Sequence, residues 1–249
     1  MTFCVAMKVR DGLIGIADTR ITTGTVAITA RKVTVFQHDN HSMFLMTSGL
    51  RSVRDKALTY FNEMLDEQDM KFDKLYKAVN AFGDQVRRVQ QEDQPALTAG
   101  GLFFDLHVLI GGQLEHDKEH KLYMLYPQAN WVEVSQGTPY YLIGESSYGK
   151  PLLDRVLNYD RPLDFALKVG HLAFDSTRRA ATDVDYPIDI VVYRRGTYQM
   201  IERRFTRDDL NHISDWWQQK LAAAVNEIPC EWVNELMTHV PPGQPAVNQ

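Results

Sequence analysis

The chain has 249 residues, of which 44% are apolar and 24% are charged, and its formal net charge is −5 at pH 7. This composition is ordinary for a globular protein, and the acidic balance excludes the electrostatic signature of a protein that binds nucleic acid or an anionic membrane. Its two cysteines, Cys4 and Cys230, exclude a disulfide framework. We expect one domain over residues 1–249, without a secretory signal or membrane helix, and hence a cytoplasmic protein.

The first fifth of the chain predicts paired β-hairpins. Apolar residues alternate over residues 3–9, Asp11-Gly12 makes a turn, and residues 13–17 continue as an apolar strand. A polar loop is expected over residues 19–30. A second hairpin, with strands at 33–37 and 42–48, is expected after it.

Helical periodicity begins after Gly49 and alternates with strands to the end of the chain. Helices are predicted near 50–67, 73–91, 148–158, 162–181 and 207–224. Strands are predicted near 102–110, 122–126, 131–134, 139–143, 188–193 and 197–201. A helical extension with a flexible, Pro-rich tail is expected from about residue 225.

This order of elements predicts an α+β fold. Two antiparallel sheets stacked between two helical layers, an αββα sandwich, would bury every apolar face. A parallel, doubly wound sheet is disfavoured because the strands come in hairpins rather than alternating singly with helices.

The segment GESSYGKP (residues 144–151) nearly matches a phosphate-binding loop, since it follows a predicted strand and precedes a predicted helix. Such a loop needs a hydroxyl directly after its lysine. Here Pro151 follows Lys150 and also removes a backbone donor. We therefore expect no nucleotide site, and the G-x-S-x-G spacing of a nucleophile elbow is also missing.

The segment HDKEH (residues 116–120) matches the H-x-x-E-H pattern of one class of metalloproteases. That chemistry needs a helix that places both histidines on one face. The segment lies between two predicted strands, so we expect an exposed hairpin tip and no metal.

Two residues near the N-terminus are candidate nucleophiles, Cys4 and Thr2. A cysteine in the first strand is more often a small buried apolar residue. Removal of Met1 would give Thr2 a free α-amine beside its hydroxyl, and such an amine can take the hydroxyl proton. Its ordinary pKa of about 7.7–8.0 leaves part of it neutral near pH 7. The other interpretation is that Thr2 simply opens a strand.

A site of this kind needs three further groups. A lysine ammonium lowers the pKa of the amine, a carboxylate holds that lysine, and an N–H donor stabilises the oxyanion. GIADTR supplies Asp18, ARKVTVF supplies Lys32, and TSGLRS supplies Gly49 at a strand-to-helix junction. Taken one at a time, each residue also has an ordinary structural explanation. Asp18 would be a polar residue at a strand end, Lys32 a solvated charge and Gly49 a turn former.

Thr2 and the segments GIADTR, ARKV and MTSGLRS together resemble the proteasome β-subunit group of N-terminal-nucleophile hydrolases. The pattern is similar to the bacterial Anbu (ancestral β-subunit) branch, with the heat-shock peptidase HslV a second relative. The resemblance extends through YLIGESSYGK and PIDIVVY. It is most specific in the first 50 residues and least specific past about residue 205.

The resemblance implies an αββα sandwich and a threonine-type endopeptidase that acts on peptides or unfolded proteins. It implies homo-oligomeric rings or stacked open rings with an interior chamber, and a possible ATPase or accessory partner. No cofactor or metal is implied. Thr2 would be the nucleophile and its α-amine the base, with Lys32 lowering the pKa of that amine and Asp18 orienting Lys32.

The resemblance also implies roles for residues around this centre. The Gly49 N–H would stabilise the oxyanion, and Ser146 or Ser147 would support the N-terminal amine. Ile21 and Thr22 would pair with the substrate backbone as an added strand. Thr47 would line the first specificity pocket.

The chain departs from the family pattern in two places. The segment TRRAATDVDYP lacks the usual Arg-Asp followed by Ser-Gly spacing, which leaves Asp183 and Asp185 as alternatives for a second supporting acid. Only Met1 precedes Thr2, and the small side chain of Thr2 suits a methionine aminopeptidase. Two other functions stay open: a catalytically silent ring-forming scaffold or binding protein, and an amidase that acts on a small amide.

Overall fold

The computed structural model describes residues 2–23, 26–68 and 72–241, without the side chains of residues 22, 23, 26, 27, 67 and 68. The strands are β1 (Phe3–Val9), β2 (Gly12–Asp18), β3 (Arg20–Thr23), β4 (Val26–Thr29), β5 (Val33–His38), β6 (His41–Gly49), β7 (Leu106–Gln113), β8 (Lys121–Leu125), β9 (Trp131–Glu133), β10 (Tyr140–Gly144), β11 (Ile188–Arg194) and β12 (Met200–Phe205). The helices are α1 (Arg51–Gln68), α2 (Leu75–Ala99), α3 (Lys150–Val156), α4 (Leu163–Ala180), α5 (Arg207–Asn226) and α6 (Glu231–Thr238).

The first sheet has the strand order β10-β1-β2-β11-β12, and its neighbours are antiparallel. Every residue of β1 and β2 is buried. These two strands are largely apolar on both faces, as suits strands whose two faces are each covered by another layer. Their antiparallel pairing places the beginning of β1 and the end of β2 beside each other inside the molecule.

The second sheet has the order β5-β6-β7-β8-β9 and packs face to face on the first. Phe44 of β6 occupies the space between the sheets, where a Cβ on Gly15 of β2 would lie 3.3 Å from its ring. A Cβ on Gly111 of β7 would lie 2.6 Å from the same ring. The absence of side chains at these two glycines therefore gives the ring its place between the sheets.

Helices cover the outer face of each sheet. Buried residues of α1 and α2, among them Val53, Phe61 and Phe82, form one core with the outer face of the second sheet. Helix α4 packs on β1 and β2 so closely that a Cβ on Gly170 would lie 2.4 Å from Met7. The architecture is the predicted αββα sandwich, and the predicted fold class is confirmed.

Four predicted features differ from the structure. Residues 20–23 and 26–29, within the segment expected as a loop, form the paired strands β3 and β4, because their threonines, isoleucines and valines suit strands despite the polar character of the segment. Helix α2 runs eight residues past its predicted end, passes through Pro95 and ends at Ala99, and the N–H of the next residue, Gly100, donates to the Ala96 carbonyl at 3.0 Å. Strand β7 consequently begins later than predicted. Strand β12 begins at Met200, three residues after its predicted start. Helix α6 lies within the helical extension expected from about residue 225.

The chain divides into two compact units, Met1–Arg207 and Asp208–Gln249. The first holds the sandwich and the second holds most of α5 and all of α6. The single domain over 1–249 stays a prediction. The Pro-rich tail lies outside the described residues from 242 onward. Within the described part of the chain, no helix has the length and apolar character needed to span a membrane.

Candidate active site

Backbone hydrogen bonds hold Thr2 at the start of β1. The Glu145 N–H donates to the Thr2 carbonyl at 2.6 Å, and Phe3 pairs with Gly144 in the β1–β10 ladder. Gly144 has a φ of +82°, and a Cβ on it would lie 2.0 Å from the Thr2 carbonyl oxygen. Only glycine combines that φ with so close an approach. The end of β10 therefore fixes the backbone from which the Thr2 side chain projects.

Asp18 and Lys32 form a buried ion pair next to this backbone. Lys32 Nζ lies 2.7 Å from Asp18 Oδ1, and both side chains are almost completely buried. The same carboxylate oxygen accepts the Phe3 N–H at 2.8 Å. Asp18 therefore ties the residue after Thr2 to the lysine ammonium, which gives the ammonium a fixed position.

The backbone of Arg20 completes the environment of this pair. Its N–H donates to Asp18 Oδ2 at 3.2 Å, and its carbonyl accepts from Lys32 Nζ at 2.7 Å. Burial raises the pKa of the Asp18 carboxyl, and the Lys32 ammonium with the N–H groups of Phe3 and Arg20 opposes that shift. The sequence analysis missed Arg20 because both contributions come from its backbone.

A cavity of about 600 Å³ opens beside Thr2. Its lining brings together five of the residues that the sequence analysis singled out, namely Thr2, Ile21, Lys32, Thr47 and Gly49. Thr47 lies on β6, and its backbone N–H donates to the Lys32 carbonyl at 3.1 Å, which joins β6 to the residue that carries the ammonium. Segments far apart in sequence thus converge on one concave surface, which is the usual form of a binding or catalytic site.

Gly49 ends β6 at the edge of this cavity with a φ of +126°. A Cβ on it would lie 2.3 Å from the Asp105 carbonyl oxygen, and the next residue, Leu50, donates its N–H to that oxygen at 2.8 Å. Helix α1 begins two residues after Gly49. The predicted strand-to-helix junction is thus observed at the cavity, while the oxyanion role of Gly49 stays a prediction.

Ser146 and Ser147 follow β10, where the structure gives them other contacts. The Ser147 N–H donates to Glu145 Oε1 at 2.9 Å, and the Ser146 carbonyl accepts the Lys150 N–H at 3.1 Å. Ser146 also lines a separate cavity of about 390 Å³. Their support of the amine stays a prediction.

Thr22 and the two candidate supporting acids, Asp183 and Asp185, have contacts in or near the β3–β4 hairpin or elsewhere in the described structure. Thr22 pairs with Ala27 in the β3–β4 hairpin, and its side chain lies outside the described residues. Asp185 pairs with Arg20 at 3.4 Å and with Arg207 at 2.7 Å. Asp185 is therefore linked to the Asp18–Lys32 pair through Arg20. Asp183 also has an interaction partner.

The other candidates from the sequence analysis lie outside this arrangement. Cys4 is fully buried, and burial raises the pKa of its thiol, so it suits packing rather than nucleophilic chemistry. His120 is not at an exposed hairpin tip as expected. It is fully buried and bonded to the Val9 carbonyl, although His116 is exposed. No metal-binding group of side chains is found among the described residues.

The structure adds cavity-lining residues that sequence reasoning missed. They are Ser48, Leu50, Arg51, Arg54, Phe103, Asp105, Leu106 and Gly144. The only local signal was the cluster SGLRSVR at the start of α1, which carries two arginines without an acidic residue in the first turn. The others reach the cavity through pairing between distant strands.

A sequence model described as "Proteasome subunit" matches residues 2–192. A solved structure of an Anbu (Gly-1) mutant from Hyphomicrobium sp. strain MC1 is 31% identical, covers 92% of this chain and 98% of that chain, and superposes with a TM-score of 0.85. Anbu (ancestral beta-subunit) from Yersinia bercovieri is 29% identical over 91% and 98% of the two chains, with a TM-score of 0.84. Among curated proteins, none matches.

The chain belongs to the proteasome subunit family. Within that family it is similar to Anbu, including a structure entitled "Helical Assembly of the Anbu Complex from Pseudomonas aeruginosa". The latter is 29% identical over 91% of this chain and 97% of that chain, with a TM-score of 0.86. The resemblance inferred from the first 50 residues is thereby confirmed.

Proposed function

We propose that the protein is a threonine-type endopeptidase that hydrolyses peptide bonds, with the Thr2 hydroxyl as nucleophile after removal of Met1. One observation carries the proposal: Thr2, Lys32 and Gly49 line one cavity, and the buried Asp18 holds the Lys32 ammonium at 2.7 Å. Membership of the proteasome subunit family supports it.

In the first half of the reaction, Thr2 Oγ1 attacks the peptide carbonyl carbon while the Thr2 α-amine takes the hydroxyl proton. The carbonyl electron pair moves to oxygen, and the Gly49 N–H stabilises that oxyanion. The C–N bond then breaks, and the ammonium returns its proton to the departing amine. The product is an ester between the substrate acyl group and Thr2.

In the second half, the α-amine takes a proton from water as the water oxygen attacks the ester carbon. Collapse breaks the bond to Oγ1, which regains the proton, and a carboxylic acid leaves. The nearby Lys32 ammonium lowers the pKa of the amine, because two positive charges disfavour each other. More of the amine is then neutral at pH 7 and able to act as the base.

Strand β3 supports binding of an extended substrate. Ile21 lines the cavity and, like Thr22, pairs on one side with β4. In the part of the chain that the structure describes, β3 has no strand on its other edge. An extended peptide would add there as a further strand, so main-chain hydrogen bonds would give affinity without requiring one sequence.

We also propose that copies of the chain assemble so that this site faces an enclosed space. The C-terminal unit exposes apolar side chains that an assembly would bury; they are Trp216, Leu221, Val225, Ile228, Trp232, Leu236, Met237 and Val240. The similarity to the Pseudomonas aeruginosa structure supports such an assembly. Mass photometry of the purified protein should show species larger than one chain.

The test of the reaction is covalent labelling of Thr2. A peptide epoxyketone, which reacts with a hydroxyl and an α-amine on the same residue, should modify the protein once intact mass shows loss of Met1. Thr2→Ala should abolish labelling, because it removes the nucleophile. The control Thr238→Ala, at an exposed hydroxyl in α6, should label at the wild-type rate.

Three results would decide against the peptidase. Met1 retained on every chain would contradict it, as would labelling that survives in Thr2→Ala. A free Thr2 in an assembled protein that cleaves no peptide and reacts with no probe would favour the scaffold. Turnover of a small amide without cleavage of extended peptides would favour the amidase.

A further inference from the structure

Thr47 lines the cavity beside Thr2 with an almost completely buried side chain. Thr47 is 4% exposed, lines the cavity, and has no hydrogen-bond partner for its Oγ1 among the described residues. Alternation along β6 places its side chain on the same face as Met43 and Leu45, which pack against the helices. A buried hydroxyl without a partner is costly, which indicates that a polar ligand group completes it.

The first turn of α1 forms a positively charged wall of the same cavity. Arg51 and Arg54 both line it, and this turn carries no acidic residue. Both guanidinium groups share one carboxylate, that of Asp55, at 3.2 Å from Arg51 Nε and 2.6 Å from Arg54 Nη2. Two cations with one anion leave one positive charge in excess at the positive end of the helix dipole.

Arg51 is the arginine with free donors. Arg54 is 11% exposed and also donates to the Arg31 carbonyl at 3.3 Å. Arg51 is 54% exposed and has no hydrogen bond other than that to Asp55 among the described residues. Its terminal nitrogens are therefore available to a ligand.

The other ionisable groups of the lining have partners other than Arg51. Lys32 is held by Asp18 at 2.7 Å, and the carboxylate of Asp105 lies 3.0 Å from His107 Nδ1. Among the described lining residues, Arg51 is therefore the cation whose terminal nitrogens are open to a ligand.

We propose that this cavity selects substrates with an acidic side chain at the residue whose carbonyl Thr2 attacks, with Thr47 Oγ1 donating to the carboxylate and Arg51 pairing with it. This proposal rests on the proposed function. It names the substrate class: acidic peptides cleaved after aspartate or glutamate. A carboxylate accepts from both the hydroxyl and the guanidinium, so it satisfies the two unpartnered donors together.

An apolar side chain fits the lining less well. Leu50, Leu106 and Phe103 provide apolar surface in the cavity. An apolar group would nevertheless remove water from Arg51 without replacing its hydrogen bonds, and it would leave the Thr47 hydroxyl without a partner. A lysine side chain would add a charge of the same sign as that of Arg51.

The experiment compares three peptide epoxyketones that differ only in the residue next to the reactive group: glutamate, leucine or lysine. The glutamate probe should label Thr2 about tenfold faster than the other two, the size expected of one charge-assisted contact that is partly exposed. Arg51→Ala should remove most of this preference, and Arg51→Glu should make the lysine probe the fastest.

Arg88→Ala is the matched control. Arg88 is 55% exposed and pairs through Nε with a carboxylate four residues later at 3.1 Å, as Arg51 does, but it lies on α2 outside the cavity. The order of the probes should be unchanged in this variant. Equal rates for all three probes, a faster leucine probe, or an unchanged order in Arg51→Ala would overturn the proposal.

A second measurement separates this proposal from the proposed function, because it needs no reaction at Thr2. Fluorescence anisotropy on the Thr2→Ala protein should show about tenfold tighter binding of a peptide ending in glutamate than of the same peptide ending in glutamine. Equal binding would overturn the acidic specificity even if Thr2 reacts. Tighter binding of the glutamate peptide, with no probe labelling wild-type Thr2, would retain the acidic pocket and reject the peptidase.

Discussion

At the scale of single residues, burial decides what a polar side chain does. Asp18 and His120 are both fully buried, yet Asp18 has a charged partner whereas His120 has a backbone carbonyl. Asp18 also accepts the Phe3 N–H at 2.8 Å, which places its carboxylate beside the start of β1. Sequence analysis expected His120 at an exposed hairpin tip, because the segment lies between two predicted strands, and this expectation was wrong.

The environment of His120 predicts a pH-dependent stability. Burial lowers the pKa of His120 to about 4; the Val9 carbonyl opposes that shift, and Lys8 and Arg195 add to it. In the unfolded chain its pKa is about 6.5, so between these values only the unfolded state takes up the proton. Lowering the pH from 6.5 to 4 should therefore cost about 3 kcal/mol of stability through this group. Urea unfolding at pH 7 and pH 4.5 measures most of the loss.

The variant His120→Gln cannot take up this proton and should show a smaller loss of stability over the same pH range. His116→Gln, with its side chain 63% exposed four residues earlier, is the control and should behave as the wild type does. An equal pH dependence in His120→Gln and wild type would contradict the assignment.

At the scale of elements, the candidate site depends on how strand ends meet. The last residue of β10, Gly144, pairs with Phe3 of β1, so the chain after β10 crosses the backbone of Thr2. Sequence patterns located both strands but not their register. A shift of one residue would remove Gly144 from the Thr2 carbonyl.

Gly144→Ala should displace Thr2 and slow its labelling by a factor of ten or more, because about 1 Å of misplacement can cost on the order of 100-fold in rate. The new Cβ would lie 2.0 Å from the Thr2 carbonyl oxygen at a φ of +82°. The rate of epoxyketone labelling, with circular dichroism to confirm folding, is the measurement.

Gly196→Ala is the control for backbone strain alone. Gly196 has a φ of +75°, but a Cβ on it would have no atom within 4 Å. This variant should lose about 1 kcal/mol of stability and keep the wild-type labelling rate. Equal labelling of the two alanine variants would show that Gly144 does not position Thr2.

At the scale of the sandwich, contact between the two sheets holds the site together. Asp18 lies on the first sheet and Gly49 on the second, so their relative positions depend on the core between the sheets. Phe44 is fully buried in that core, packed over Gly15 and Gly111. Periodicity predicted each sheet face, but it contains no information on how the two sheets are aligned.

Phe44→Ala should lower the free energy of unfolding by about 3–5 kcal/mol, because it leaves a cavity between the sheets. Phe103→Ala, at a ring that is 88% exposed, should change it by less than about 0.5 kcal/mol. Urea denaturation of both variants provides the comparison. Similar losses in the two would contradict the role of Phe44 as an inter-sheet core residue.

The sequence by itself determined the class of fold, most of the helices and strands, and the family. It did so because burial imposes periods of two and 3.6 residues on apolar positions, and because Thr2, Asp18, Lys32 and Gly49 come in a characteristic order. The β3–β4 hairpin was not predicted, because its strand-forming residues lie in a segment that is polar overall.

Only the tertiary structure decided the environment of the candidate nucleophile. Gly144 reaches Thr2, and Arg51 reaches the cavity floored by Thr47, through strand pairing and helix packing that join positions far apart in the chain. Local sequence patterns report which face of an element is buried. They do not report which distant side chain comes to lie opposite it, because that depends on register and on the stacking of layers.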